Sequence, residues 1–166
     1  MKLWSLPLLA AALCGCEKPA QAPAGGASLI TAFTVTEAVS GAANWKLRAR
    51  GALMDEKKGL IHFSGPAVQF YEKKELVSEI SSLKGELAMH DKSAVLSDEV
   101  NVHSVRDGMR LATARLFYST ARNKIWTDLP VTIHKGKTVI TGRGFTANPD
   151  LSEIEISHQE TRLAGK

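Results

Sequence analysis

Two cysteines, five histidines and 17 carboxylates are the residues of this 166-residue chain best equipped for chemistry. Both cysteines fall in Leu13-Cys14-Gly15-Cys16, directly after Met1-Lys2 and the apolar run Leu3 to Leu13. That run is secretory in length and shorter than the roughly 20 apolar residues a membrane-spanning helix needs. A small residue followed by a thiol at this place is the pattern of a bacterial lipobox. Cleavage behind Gly15 would leave Cys16 to carry lipid. The alternative is an ordinary signal peptide whose cysteines lie near the cut by chance. Cys14 leaves with the signal, and an acylated Cys16 leaves no thiol for a disulfide, a metal or a nucleophile.

The other chemical groups are scattered. His62, His90, His103, His134 and His158 show no HxH or HxxxH spacing, so solvated histidines are expected and no metal site or cofactor. Asp98 and Glu99 are adjacent, and neighbours in a strand point to opposite faces, which excludes them as an acid–base pair. Gly142-Arg143-Gly144 has a superficial phosphate-loop look. It occupies a strand position shared with Gly51 and Gly85, where a bulge or close packing explains it better. There is no nucleophile elbow, P-loop or dinucleotide fingerprint. Trp45 and Trp126 could stack on bases, but in an exported strand-rich chain they read as packing or apolar lining. An enzyme is therefore not expected, nor a nucleic-acid partner. The formal charge of +4 falls to +3 without Lys2 and forms no block. The pairs Lys57-Lys58 and Lys73-Lys74 lie in expected turns, either solvated or drawn to acidic headgroups.

The elements that hold these residues alternate with period 2. The reading divides the chain into a signal peptide (1–15), a lipidated Cys16 with an Ala/Pro/Gly-rich tether (16–27), a β domain (28–160) and a polar tail (161–166). The coil after Cys16 reaches about 20 Å, which would keep the domain near a membrane surface. Within the domain a repeat closes on Ser64, Ser97, Thr127 and Ser157, at spacings of 33, 30 and 30. An alternating apolar run follows the first three copies but not the fourth, so the stack is expected to end on an unfilled edge. A period of this size means one supersecondary unit stacked several times. No helical stripe interrupts the alternation. Val77 to Leu87 could be argued as a helix, but Ser81-Ser82, Gly85 and its alignment with strands in the other copies speak against it. The fold class is all-β, an open twisted jelly roll built from ~30-residue strand repeats. Its inward positions either pack as a closed core or line an apolar trough.

The segment Trp126-Thr127-Asp128-Leu129-Pro130-Val131-Thr132-Ile133, then Val139-Ile140-Thr141-Gly142-Arg143-Gly144-Phe145, resembles the LptC family of the lipopolysaccharide export system. Phe33-Thr34-Val35-Thr36 and Leu47-Arg48-Ala49 are similar to it too, and the likeness runs over about residues 29–157. The soluble bridge protein LptA shares such repeats, but their order and the single short domain favour LptC. The resemblance implies a periplasmic protein at the inner membrane that accepts lipopolysaccharide from the ABC transporter (LptB, LptF, LptG) and passes it to LptA. Acyl chains would lie along Trp45, Leu47, Phe63, Val68, Phe70, Leu87 and Leu96, and along Val100, Val102, Leu111, Trp126, Val131, Ile133 and Phe145. Ile154 and Ile156 would form the edge that docks the bridge protein. The family usually has an N-terminal transmembrane helix where this chain has a lipobox, so any part that helix plays in regulating the transporter does not carry over. An LptA-like bridge protein and a structural envelope lipoprotein with a closed core remain the alternatives.

Overall fold

The structure, a computed structural model, describes residues 27–39 and 42–163. The segments read as signal peptide and tether, with Cys16, lie outside the described residues up to residue 26. Strands make up the described chain: β1 (Ala27–Val39), β2 (Ala42–Asp55), β3 (Leu60–Ser64), β4 (Ala67–Glu72), β5 (Glu75–Ser81) and β6 (Lys84–Ala88). They continue as β7 (Ala94–Ser104), β8 (Arg110–Ser119), β9 (Lys124–Lys135), β10 (Thr138–Ala147), β11 (Ile154–Ile156) and β12 (Glu160–Leu163). No helix occurs among the described residues, and Val77 to Leu87 forms β5, a crease and β6.

All pairings are antiparallel, and the long strands each serve two sheets. One sheet holds the second half of β2 with β3, β6, the start of β7 and the end of β8, followed by the start of β9, the end of β10 and β11. The other holds the first half of β2 with β4, β5, the end of β7, the start of β8, the end of β9, the start of β10 and β12. β1 runs along the whole of β2. The result is a roll folded along a crease.

The repeat marks that crease. β3 ends at Ser64 and Gly65 turns with φ 58°. β7 loses register with β8 between Ser97 and Val100, and β10 loses register with β9 between Arg143 and Phe145, opposite Thr127 and Pro130. Ser157 follows β11, and His158 has φ 46°. Asp98 and Glu99 sit in the crease at φ 62° and 53°, so they are not extended residues on opposite faces as the alternation implied. Backbone bonds stitch the crease: Gly65 N–H donates to Leu83 O at 2.8 Å, and Leu83 N–H to Asp98 O at 2.9 Å. Gly142 and Gly144 are there because β11 comes close. A Cβ on Gly142 would meet Ile156 Cγ2 at 2.5 Å, and Gly144 adopts φ 90°.

Alternation decides what is buried. In β9, Ile125, Thr127, Val131 and Ile133 face inward and are 3% exposed or less. Val131 and Ile133 form a closed core between the sheets with Val100, Val102, Leu111 and Phe145, and Ile125 and Leu116 belong to the same apolar cluster. A second, smaller cluster gathers Leu47, Ala49, Ala52, Ile61 and Phe63 under β1. Trp45 and Val68 pack against both. The fourth copy differs from expectation. β12, in residues read as domain end and polar tail, pairs with Thr138–Thr141 of β10. Its polar sequence hid it, because an edge strand needs only backbone partners to form.

One turn has a titratable anchor. Asp107, between β7 and β8, accepts a 2.6 Å bond from Lys135 Nζ at the end of β9. That bond, then one from Ser104, lowers its pKa from 3.8 to about 2. A carboxyl depressed in the folded state stabilises the fold above its unfolded pKa, and the contribution is lost as pH falls from about 4 toward 2. Lys135→Met should raise the Asp107 pKa toward 3.8 and narrow the acid loss of stability, as read by carboxyl NMR titration and acid unfolding. An unchanged Asp107 titration would count against this ion pair.

Candidate functional site: an apolar cavity between the sheets

At the β1 end of the roll the sheets splay, and a cavity of about 510 Å³ opens between them. β2 and β4 supply Trp45, Leu47, Val68 and Phe70, while β3, β6 and β7 supply Phe63, Leu87 and Leu96. These seven are inward residues of the alternation, brought together because their strands face each other across the crease. Polar groups lie on the lining too: Thr36, Glu37, Glu86, Lys92 and Thr120. His62 Nδ1 lies 3.2 Å from Glu86 Oε2. The wall is thus largely hydrocarbon with charged groups of both signs. Among the described residues, no cluster of three or more His, Cys, Asp or Glu could hold a metal ion.

The remaining expected lining is placed elsewhere. Val100, Val102, Leu111, Val131, Ile133 and Phe145 are 2% exposed or less and fill the closed core, away from the cavity, because the sheets come together there. Trp126 lies on the outer face between inward-facing Ile125 and Thr127. It stacks on Phe117 with ring centroids 5.6 Å apart, and the Arg122 guanidinium stands 5.8 Å over its ring. Ile154 and Ile156 form β11 at the edge of the first sheet, Ile154 exposed and Ile156 packed in part against the core.

The cavity wall also holds residues that sequence reasoning left out of the lining, among them Val35, Ile80, Met89, Leu116, Tyr118 and Ile125. Leu116 and Tyr118 share a face by alternation within β8, a signal that was present. Met89 lies in a turn, and Ile125 was masked by the larger Trp126 beside it. Phe70 meets Tyr118 edge to face at 6.5 Å, bridging the two sheets at the cavity.

A search of the curated proteins finds no match. Among solved structures, the chain is similar to LptH, the LptA-homologous periplasmic component of the lipopolysaccharide transport device of Pseudomonas aeruginosa. The TM-score is 0.55 at 9% identity, over 72% of this chain and 94% of that one. At that identity the likeness shows a shared fold. Residues 16–163 match the family described as lipopolysaccharide-assembly, LptC-related. That match covers most of the chain, which therefore belongs to the LptC-related family and to the periplasmic machinery of lipopolysaccharide transport.

Proposed function

We propose that this domain accepts lipopolysaccharide from the inner-membrane ABC transporter (LptB, LptF, LptG) and passes it to the bridge protein LptA. Acyl chains enter the cavity lined by Trp45, Val68 and Phe70, while sugars and phosphates stay in water. The observation that carries this reading is the 510 Å³ apolar cavity in an LptC-related chain. Burial contributes about 0.8 kcal/mol per methylene, so a site for part of the lipid holds cargo without trapping it. Cys16 carries the lipid that anchors the chain to the inner membrane. The free side of β1 faces the transporter, and β11 with β12 offers the other edge to the bridge by strand addition.

A photo-crosslinker at Trp45, Val68 or Phe70 should capture lipopolysaccharide in cells, and one at outward Arg115 should not. A folded, expressed protein with no capture at any of the three cavity positions would overturn the reading. The closed core around Val100 favours a second reading, a structural lipoprotein whose edges dock partners. It expects partner chains to co-purify, and no lipid.

A further inference from the structure

The turn between β10 and β11, Asn148–Glu153, leaves its own sheet and reaches the opposite one. The Ser78 hydroxyl, fully buried on β5, donates to the Pro149 carbonyl at 2.5 Å, joining residues 71 apart in sequence. Leu151 is 9% exposed and packs into the core that holds Phe70, Val77 and Val102. The turn is a preformed unit. Leu151 N–H donates to Asn148 O, Asn148 N–H to Glu153 O, and Ser152 bonds the Asp150 carboxylate twice. Lys124 holds Glu153 at 3.2 Å within the first sheet. Its grip on the opposite sheet, by contrast, rests on the Ser78 bond and the Leu151 side chain. Leu151 makes that contact at φ 58°, a left-handed conformation that costs a leucine energy.

The placement divides the interior. Phe70, opposite Ser78 in the β4–β5 register, lines the cavity on one side. Half-buried Ile140 and Ile156 face the core at the C-terminal edge, on the other. Between them lie β7, β8 and β9 with buried Val100, Val102, Leu111 and Val131, and Leu151 joins that buried cluster.

We propose that the Asn148–Glu153 turn is a gate between the acyl-chain cavity and the C-terminal edge, an inference that rests on the acyl-binding reading above. Lifted as a unit, it frees the Ser78 hydroxyl and withdraws Leu151 from the core. Methylenes of a passing acyl chain then take over the apolar contacts Leu151 gives up, so opening is coupled to cargo. The direction of travel is from Phe70 toward Ile140 and Ile156, the edge offered to the next protein.

The test uses the full chain in cells, with a photo-crosslinker at Trp45 or at Ile140 and endogenous lipopolysaccharide as the probe. Ser78→Cys with Pro149→Cys ties the turn down when oxidised, and the closed bond is read on a non-reducing gel. Oxidation should leave capture at Trp45 intact and lower capture at Ile140 roughly tenfold, with reduction restoring it. Leu151→Asn keeps a residue that tolerates positive φ but removes the apolar anchor. It should raise capture at Ile140 with Trp45 unchanged. Capture at Ile140 that is equal in locked, unlocked and Leu151→Asn proteins, with Trp45 labelled throughout, overturns the gate alone. Absence of capture at both positions in every form overturns the acyl-binding reading, and the gate with it.

Discussion

Val68→Asp should cut lipopolysaccharide capture at Trp45 by more than about tenfold while the domain still folds. Val68 is half-buried, lines the cavity and packs against both apolar clusters. Without cargo, a carboxylate there is hydrated through the open end, so the fold should lose only the typical 0.5–3 kcal/mol of a point mutation. With an acyl chain seated, the same charge is stripped of water beside hydrocarbon. Unpaired, it costs several kcal/mol, and each 1.4 kcal/mol is a tenfold loss. Crosslinking yield and a thermal melt on the same preparation check both halves. Unchanged capture by the folded variant would remove the cavity from the transport path.

Phe145→Ala should destabilise the domain by about 3–5 kcal/mol in urea unfolding. Phe145 is 1% exposed and among the largest fully buried side chains. Its neighbours are held by crease bonds from Ser157 to Gly144 and from Arg143 to Ser157, at 3.0 and 3.1 Å, so the void cannot easily collapse. Domains have only 5–15 kcal/mol in all, so the variant should melt far lower. Leu53→Ala, at a 37% exposed site on β2, serves as the control and should cost much less. A Phe145→Ala cost below about 1 kcal/mol would mean the interior is open at that end, with no closed core for a gate to guard.

Much of this architecture could be read before any coordinates. The closing residues Ser64, Ser97 and Thr127 mark the crease, and period-2 alternation places Leu47, Phe63, Val68, Phe70 and Leu96 on inner faces. What alternation does not encode is how far apart two facing sheets lie. Leu96 and Val100 belong to one strand, β7, and both face inward on either side of the crease, yet only Leu96 reaches the cavity. The Asn148–Glu153 turn ties the two sheets together through Ser78, a contact that is not a local property of either segment. Trp126 misled for another reason. Its size suggested the interior, but the parity of Ile125, Thr127, Val131 and Ile133 puts it outside, where Phe117 and Arg122 cover its ring. β12 was invisible because its pairing is written in the backbone of β10 and not in its own polar residues.

The same distinction bears on how such a chain can change over time. Along the crease, the bonds from Gly65 to Leu83 and from Leu83 to Asp98 join main-chain atoms, with no side chain taking part. At those main-chain bonds the spine asks little of residue identity, while Ser82, Thr113, Thr127 and Gly142 are the points along it where a side chain or its absence counts. Substitutions can then accumulate on both sheets without moving the bend that sets their mutual angle. That is a physical reason for a shared shape to persist between this protein and LptH when only 9% of aligned positions agree.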